Sequence, residues 1–309
     1  MTNFRFSSVV VSEEVTTALH EGRGVVALET TIVVQGLPAP VNIDVASECE
    51  SSVRKSGSIP AAIGVLDGRV VVGLTSNELE RLASPDRHAA KLSSRDIGVA
   101  LAVGADGATT VAGTIAIAHR VGIDVMATGG LGGVHRNANE SFDESADLIA
   151  LTKTSVLVVA SGVKSILDIG ATLERLDTLG VPVLGYQTHK FPGFYLRDSG
   201  FSLDWSVANA DEAAAAFLRH REFSIAGLVV ANPVAADKEL DRHLHDEALE
   251  SALLKAHLEG VSGKAVTPAL LAEFAHHTAG VSVQVNRDLV VANAALAGAI
   301  AASLALSVA

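Results

Sequence analysis

Short apolar runs alternate with amphipathic stretches along the chain, and the two patterns predict β-strands and α-helices in turn. The predicted strands are Gly24–Leu28, Ala62–Leu66, Arg69–Gly73, Gly122–Ala127, Ser155–Ala160, Val181–Gly185 and Ala226–Ala231. The predicted helices are Ser12–His20, Ile43–Lys55, Thr110–Val121, Ile166–Leu179, Ala210–Arg219, Leu240–Leu258 and Ala269–His276. Repeated alternation of strand and helix is typical of layered α/β proteins.

Local turn signals refine this pattern. Asp67-Gly68 separates two of the strands and predicts a hairpin, so the sheet is mixed rather than wholly parallel. Thr267-Pro268 predicts a cap and a first-turn proline ahead of the last amphipathic helix. No fixed-period repeat, low-complexity linker or composition break divides the sequence. We therefore predict a three-layer α/β/α fold with a mixed, mostly parallel central sheet, in a single domain over residues 1–309.

The C-terminal run Leu289–Ala309 has 21 residues and no charge. Its length alone would suit a membrane span. Its high alanine content and the polar or small residues inside it, Asn293, Gly298 and Ser303 among them, favour a buried or intersubunit helix instead.

Composition and charge narrow the classes of function. Hydrophobic residues make up 49% of the chain and aromatic residues only 4%, which suits an aliphatic sheet buried between helices. The net charge of −12, without a long basic cluster, argues against binding to polymeric nucleic acid. Cys49 is the only cysteine, and Met1–Arg5 does not begin a secretory pattern. We therefore expect a reducing, cytoplasmic compartment.

Reactive residues follow two of the predicted strands, where ligands of open α/β sheets bind. Lys164 comes shortly after Ser155–Ala160; a desolvated lysine can attack a carbonyl and form a Schiff base, but a surface lysine is the simpler interpretation. Glu29 ends Gly24–Leu28; burial would suit it to acid–base work, and a capping role is the alternative. The glycine-rich stretch 129–133 predicts either a close backbone approach to a ligand or a tight structural loop.

Two polar segments are candidates for ligand contact. Glu140, Asp143, Glu144 and Asp147 could supply oxygen ligands to Mg²⁺ or Mn²⁺, with Asp143 and Asp147 on one face of a helix. A solvated acidic helix start is the alternative. The segment 91–95, with Lys91 and Arg95 at its ends, could contact a phosphate or form a solvated loop.

Taken together, these pieces match one family. The sequence resembles the pseudouridine-5′-phosphate glycosidases, also called the indigoidine synthase A-like family, over nearly its whole length. The matching stretches are ALETTIVVQGLPAPVN (27–42), AAIGVLDGRVVVGLT (61–75), KLSSRDI (91–97), GATTVAGTIAIAHRVGIDVMATGGLGGVHR (107–136), SFDESADL (141–148), VASGVKSILDI (159–169), GVPVLGYQTHKFPGFY (180–195), ANPV (231–234), GKAVTPALL (263–271) and SVQVNRDLVVANAALA (282–297).

The resemblance implies a role for each matching residue. Lys164 in SGVKS matches the covalent nucleophile, Glu29 in ALETT the proton donor, and Asp143 in SFDES the Mn²⁺ ligand. The implied substrate contacts are Lys91, Val111, Ser145, Ala146 and Asp147, with His135 and Asn286 as further active-site positions.

The implied activity is cleavage of the carbon–carbon glycosidic bond of pseudouridine 5′-phosphate into uracil and ribose 5-phosphate. It would proceed through a lysine adduct of the opened ribose, with Mn²⁺ assistance, in a homotrimer. The chain departs from the usual family pattern at Thr30, at Gln35–Pro38 and around Arg287 and Asp288.

Other interpretations stay open at this point. A Schiff-base sugar-phosphate aldolase would use Lys164 and the phosphate segment but cleave inside the sugar chain. A non-catalytic sugar-phosphate binding protein would need neither Lys164 nor Glu29. The direction of the reaction, and a preference for a different phosphorylated C-nucleoside, do not follow from the sequence.

Overall fold

The computed structural model describes residues 8–261 and 266–308. Within this part of the chain the strands are β1 (Val9–Val11), β2 (Val25–Leu28), β3 (Ile59–Leu66), β4 (Arg69–Val72), β5 (Ala90–Leu92), β6 (Gly107–Thr109), β7 (Val125–Ala127), β8 (Leu157–Ala160), β9 (Val183–Tyr186), β10 (Trp205–Val207) and β11 (Leu228–Ala231).

Helices connect and cover these strands. They are α1 (Glu13–His20), α2 (Val41–Lys55), α3 (Ser76–Ala83), α4 (Ile97–Ala102), α5 (Val111–Val121), α6 (Ala138–Ser141), α7 (Ala146–Leu151), α8 (Ile169–Thr178), α9 (Ala210–Arg221), α10 (Arg242–Leu258), α11 (Val266–His277) and α12 (Val281–Val308). A π-helical turn spans Ile32–Gly36 and a 3₁₀ turn spans Pro85–Arg87.

The strands form one sheet in the order β1-β4-β3-β2-β7-β8-β11-β9-β10, with β6 paired to β3 and β5 paired to β6. Pairing is parallel from β3 through β2, β7, β8, β11 and β9 to β10. It is antiparallel where β3 meets β4 and β6. The central strands β2, β7, β8 and β11 are buried along their whole length, as expected between helical layers. The predicted mixed, mostly parallel α/β fold is confirmed.

The predicted hairpin is present. Strands β3 and β4 pair with Val65 opposite Val70 and Leu66 opposite Arg69. The two turn residues have positive φ angles, 48° at Asp67 and 70° at Gly68. Two-residue hairpin turns of this hand require positive φ at both positions, and Asp-Gly is among the sequences that adopt it most readily.

Two predicted helix starts are wrong. Helix α11 already includes Val266, so Thr267 is not its cap, although Pro268 lies in its first turn as predicted. Helix α8 begins at Ile169 rather than Ile166, because the side chain of Asp168 accepts a hydrogen bond from the Ala171 backbone N–H and caps the helix there.

The described part of the C-terminal apolar run, from Leu289 to Val308, forms all of α12 except its first two turns. This helix packs against α2 and α9 and against β2, β7 and β8. Its segment Val281–Ser307 is long and apolar enough to cross a membrane. However, 56% of its most apolar 18-residue stretch is buried inside the protein. Contacts with three strands and two helices make it a core helix of this fold, as predicted.

Candidate active site

A cavity of about 420 Å³ opens at the edge of the sheet where β2, β6, β7 and β8 end. All ten residues predicted from the sequence line it: Glu29, Lys91, Val111, His135, Asp143, Ser145, Ala146, Asp147, Lys164 and Asn286. Segments from almost the whole length of the chain therefore meet here. The structure places them around one cavity, and their assignment as site residues stays a prediction.

Glu29 follows β2 directly and is 8% exposed. Both of its carboxylate oxygens accept hydrogen bonds from threonine hydroxyls: Oε1 from Thr128 and Oε2 from Thr31. The side chain is therefore held in one orientation at the cavity wall. The contact with Thr31 is the local turn contact that the capping interpretation predicted. The contact with Thr128, which follows β7, goes beyond such a cap.

Lys164 lies in the loop after β8, ahead of α8. Its backbone N–H donates to the Leu131 carbonyl, at 3.2 Å, which ties this loop to the glycine-rich loop after β7. A Cβ atom added at Gly130 would lie 3.5 Å from Lys164 Cγ and 2.6 Å from the Phe194 ring. The Phe194 ring therefore requires glycine at position 130, whereas the lysine stem lies at an ordinary van der Waals distance. Lys164 is half-buried at the cavity and does not start a helix.

Asp147 ties the glycine-rich loop to two helices. Its Oδ2 accepts the Gly132 N–H and its Oδ1 accepts the Ala112 N–H, both at 2.9 Å. A Cβ atom at Gly132 would come within 2.2 Å of Ser145 Oγ. The carboxylate of Asp147, which is 5% exposed, is thus engaged with backbone donors that shape the cavity.

The predicted pairing of Asp143 and Asp147 on one helix face is wrong. Helix α6 ends at Ser141, and α7 begins at Ala146 with Ser145 as its capping residue. Asp143 therefore lies in the connection between two short helices, and only Asp147 is helical.

Asp143 is the acid of the 143–147 segment that is held neither by an arginine nor by backbone N–H groups. Glu144 also lines the cavity, but its Oε2 forms an ion pair with Arg175, at 2.9 Å. Asp143 Oδ2 lies 3.9 Å from His135 Nδ1, and the two residues also share a backbone hydrogen bond. Burial lowers the pKa of His135; the charges of Lys91 and Lys164 act in the same direction, and Asp143 opposes them.

The described residues contain no cluster of three or more His, Cys, Asp or Glu side chains arranged to hold a metal ion. A metal ion coordinated entirely by protein side chains, without water ligands, therefore does not fit the described residues. A hydrated Mg²⁺ or Mn²⁺ ion, held by one carboxylate and completed by water and substrate oxygens, fits Asp143.

The remaining predicted contacts surround the lysine and the glutamate. Lys91 belongs to β5, and Val111 begins α5 after the capping residue Thr110. Asn286 lies in the second turn of α12, is 5% exposed, and its Oδ1 is a buried oxygen without a hydrogen-bond partner in the protein. Such an unpaired acceptor beside a cavity suits a ligand donor.

Sequence reasoning missed the residues that hold the strand ends together. Asn293, which is fully buried in α12, donates to the Thr128 carbonyl at 2.8 Å and to Ser161 Oγ at 3.1 Å. Its Oδ1 accepts a hydrogen bond from Asn232 Nδ2, at 2.9 Å. One amide thereby links residues that follow three adjacent strands, β7, β8 and β11. In the sequence, the signal for this role was an asparagine inside an apolar run without charged residues.

The charged pair that departs from the family pattern forms ordinary contacts within the chain. Arg287 Nε donates to Glu48 Oε2 on α2, at 2.9 Å. Asp288 forms an ion pair with Lys238, at 3.4 Å. Neither residue is among those that line the cavity.

The fold and the cavity define an α/β protein whose polar residues converge at the carboxyl edge of a mostly parallel sheet. The sequence model of the indigoidine synthase A-like proteins matches residues 14–303. The chain therefore belongs to the indigoidine synthase A-like family.

Curated relatives cover nearly the full chain. A pseudouridine-5′-phosphate glycosidase of Salinispora tropica is 56% identical over 294 residues, covering 94% of this chain and 90% of the relative. One from Streptomyces griseus is 51% identical over 299 residues, covering 96% and 92%.

Two solved structures have the same fold. The prealnumycin C-glycosynthase AlnA, in complex with ribulose 5-phosphate, superposes with a TM-score of 0.89 at 39% identity and 97% coverage of both chains. An indigoidine synthase A-like protein of Thermotoga maritima superposes with a TM-score of 0.87 at 35% identity and 96% coverage of both.

Proposed function

We propose that this chain cleaves the carbon–carbon glycosidic bond of pseudouridine 5′-phosphate, giving uracil and ribose 5-phosphate. The observation that carries the proposal is the meeting of a buried glutamate, Glu29, and a half-buried lysine, Lys164, on the wall of one cavity. Relatives up to 56% identical are named pseudouridine-5′-phosphate glycosidases, and a solved neighbour holds a five-carbon sugar phosphate.

The chemistry requires a carbon leaving group. Protonating a leaving oxygen, as ordinary glycosidases do, does not help here, because the base is attached through its C5 carbon. An acid must instead deliver a proton to C5 as the electrons of the C1′–C5 bond pass to the base. Glu29 is the proton-transfer group of the proposal, and the Lys164 nitrogen supplies the electron pair that replaces the broken bond at C1′.

The proposed sequence of bonds runs through a lysine adduct. The Lys164 nitrogen bonds to C1′ as the C1′–O4′ bond breaks, and the proton that the nitrogen loses passes to O4′, so the ribose ring opens. The nitrogen lone pair then forms a C=N bond to C1′ as C1′–C5 bonding electrons pass to the base, whose C5 takes a proton from Glu29. Water adds to the resulting iminium, releases ribose 5-phosphate and returns a proton to Glu29, so one water is consumed for each uracil formed. The reverse sequence forms the C–C bond.

The other cavity residues would surround the two halves of the substrate. Lys91, His135, Ser145 and Ala146 are proposed to contact the sugar phosphate, together with the segments that begin at Val111 and Asp147. Asn286, with its unpaired oxygen, is proposed to accept a donor of the base. When Mn²⁺ is bound, Asp143 and water would hold it, and its charge would offset that of the phosphate.

The AlnA neighbour is named as a C-glycosynthase, which forms a bond of the same kind. Because synthesis and cleavage act on the same kind of bond, the AlnA neighbour supports a reversible reaction. Such enzymes would then differ in the base that they join to the sugar or release from it. A sugar-phosphate aldolase, the competing interpretation, would break a bond inside the pentose instead.

The direct test incubates the purified chain and Mn²⁺ with pseudouridine 5′-phosphate and follows uracil by its absorbance and ribose 5-phosphate by chromatography. We expect equal amounts of the two products, and formation of pseudouridine 5′-phosphate when both products are supplied. Cleavage products shorter than five carbons, or no release of uracil, would overturn the proposal. Uridine 5′-phosphate is the matched control substrate, because its N-glycosidic bond offers no carbon to protonate.

We also propose a homotrimer. Two apolar side chains are exposed on the surface: Phe142, which lines the cavity beside Asp143, is 85% exposed, and Val99 on α4 is 66% exposed. Contact with another subunit would remove them from water. Light scattering should give three times the chain mass of 31.8 kDa; a mass of one chain at micromolar concentration would contradict the proposal.

A further inference from the structure

Some residues that line the cavity carry a buried polar atom without a hydrogen-bond partner among the residues that the structure describes. These atoms are Oε1 of Gln35, Oγ of Ser93 and Oδ1 of Asn286. A buried polar atom without a partner costs free energy, which a ligand with a matching group would recover. The proposed function uses Asn286 and leaves Gln35 and Ser93 without a role.

The side-chain amide of Gln35 has a fixed orientation. Gln35 lies in the π-helical turn after β2, and its Nε2 donates to the Ala89 carbonyl, at 3.3 Å. Only the nitrogen of an amide can donate to a carbonyl, so the oxygen is the atom that is left for a ligand. Gln35 therefore supplies a hydrogen-bond acceptor at the cavity wall, as Asn286 does with its Oδ1.

An acceptor at this position discriminates between the parts of the proposed substrate. A phosphate dianion has no hydrogen to donate, and its negative charge would be repelled by an amide oxygen. Ser93, whose hydroxyl can donate, lies two residues after Lys91 and suits the phosphate instead. The base of pseudouridine is neutral and has two N–H donors, which match amide oxygens.

Charge separates two sides of the cavity. Asp143 Oδ2 lies 3.9 Å from His135 Nδ1. Burial lowers the pKa of His135, and the nearby charges of Lys91 and Lys164 lower it further, so these four side chains surround one part of the cavity. A charged sugar phosphate fits that side.

The other side of the cavity is uncharged. The residues that line it come from the π-helical turn, α11 and α12, and they include Ile32, Gln35, Leu271 and Asn286. The π-helical turn packs against α11, and α11 packs against α12. Two amides among apolar side chains suit a neutral heterocycle better than a phosphate.

The linkage of the base to the sugar decides how many donors the base keeps. The base of pseudouridine is joined through C5 and keeps both N1–H and N3–H, whereas the N1-linked base of uridine keeps only N3–H. C5, N1 and N3 alternate around the ring and face three directions. Glu29, Gln35 and Asn286, which follow β2, lie in the π-helical turn and lie in α12, match these three positions in number and chemistry.

We propose that Gln35 is a specificity-determining residue whose Oε1 accepts one ring N–H of the base, while Asn286 Oδ1 accepts the other. This rests on the proposed function and adds the reason why a C5-linked base is preferred. A base that is joined through N1, or methylated on either nitrogen, leaves one of the two acceptors buried and unpaired.

The test measures the binding of free uracil to the full chain by calorimetric titration, which needs no turnover. A methyl group on N1 or N3 removes one donor. We expect 1-methyluracil and 3-methyluracil each to bind the wild type at least about tenfold more weakly than uracil does. Gln35→Met keeps the side-chain length and removes the acceptor. It should bind uracil about tenfold more weakly and ribose 5-phosphate as the wild type does.

The two methyluracils also show which acceptor contacts which donor. In Gln35→Met one of them should bind within about threefold of uracil, because the partner of its missing donor is already gone. Asn286→Leu should show the same for the other methyluracil. Gln187→Met is the matched control, because Gln187 also donates through Nε2 to a backbone carbonyl, that of Ala208 at 3.0 Å, and does not line the cavity.

The proposal is overturned if Gln35→Met binds uracil as Gln187→Met does, or if both methyluracils keep their full loss of affinity in Gln35→Met. An equal loss of affinity for ribose 5-phosphate in Gln35→Met would place Gln35 at the sugar phosphate and overturn it too. In the wild type alone, equal affinities for uracil and both methyluracils, or no binding of uracil at millimolar concentration, would have the same effect.

Failure of the proposed function is a separate result. The wild-type chain would then bind uracil with the expected preference over the methyluracils, but it would release no uracil from pseudouridine 5′-phosphate.

Discussion

Glu29 is 8% exposed and bound on both oxygens, so replacing it by glutamine keeps its size and removes its capacity to carry a proton. We expect Glu29→Gln to bind ribose 5-phosphate as the wild type does and to lose at least about 100-fold in kcat for uracil release, the usual contribution of a general acid or base. Steady-state kinetics and calorimetric titration measure the two quantities. The exposed Glu174→Gln on α8 serves as control, and full turnover in Glu29→Gln would exclude the proton-transfer role.

At Asp143 the prediction concerns metal affinity. Its carboxylate is the one in the 143–147 segment not held by an arginine or by backbone N–H groups. We expect Asp143→Asn to weaken Mn²⁺ binding, measured by electron paramagnetic resonance, at least about tenfold, as changes around metal ligands commonly do. Glu144→Gln should keep the wild-type affinity. Chelation should abolish activity and Mn²⁺ restore it; undiminished activity in chelated protein would count against the metal.

Individual site residues could be predicted from the sequence where they follow a strand or lie in a recognisable motif. Lys164 and Glu29 both met the first condition, and the resemblance supplied Asp143. Thr128 could not be connected to Glu29 in this way, because 99 positions separate them and only the neighbouring order of β2 and β7 brings them together. Hydrogen bonds across strands depend on register, which periodicity does not fix.

Among the elements, the glycine-rich loop after β7 leaves no room for side chains. In Gly132→Ala the new Cβ would meet Ser145 Oγ and the Asp147 carboxylate, at 2.2 and 2.7 Å. We expect the free energy of unfolding to fall by about 1–3 kcal/mol. Gly98→Ala in α4 meets nothing within 4 Å and should raise it by about 0.5–1 kcal/mol. Denaturant unfolding checks both, and equal effects would contradict the packing described.

The contact between α10 and α11 carries a pH dependence. His245 of α10 packs on Phe274 of α11, and burial lowers its pKa, which Asp246 partly opposes and Arg242 and Arg136 reinforce. The unfolded chain therefore takes up this proton more readily than the folded protein. The free energy of unfolding should fall as the pH drops below about 6.5, the value for an unperturbed histidine.

Substituting this histidine tests that dependence. His245→Leu should lose less stability between pH 7.5 and 5.5 than the wild type, whereas His243→Leu, at an exposed position of the same helix, should follow the wild type. Urea unfolding at the two pH values measures the difference. The same loss in all three proteins would show that His245 does not contribute.

Elements with a strong repeating pattern were predictable, and short ones were not. The β3–β4 hairpin and the central strands followed from apolar runs and one turn signal. Some elements span too few residues to show a repeating pattern of apolar positions. They are the three-residue strands β1, β5, β6 and β10 and the short helices α4, α6 and α7. The start of α11 differed because Pro268 is tolerated anywhere in a first turn, where backbone N–H groups have no helical partner.

On the scale of the whole molecule, α12 and the sheet edge form one unit. The amide of Asn293 links the residues that follow β7, β8 and β11. Asn286, near the N-terminal end of the same helix, lines the cavity. The sequence indicated a buried helix here but not its place across the strand ends, because an apolar helix shows no polar face to orient it. The cavity between these parts is therefore a property of the assembled fold.

The proposed mechanism depends most on a bond between the Lys164 nitrogen and the sugar. Wild-type protein is incubated with ribose 5-phosphate and borohydride, digested, and mapped by mass spectrometry, with Lys153→Met, at a position outside the cavity, and Lys164→Met treated alike. We predict a reduced sugar-phosphate adduct on the peptide containing Lys164 in the wild type and in Lys153→Met, and none in Lys164→Met. An adduct on another lysine, or no adduct from protein that releases uracil, would contradict it.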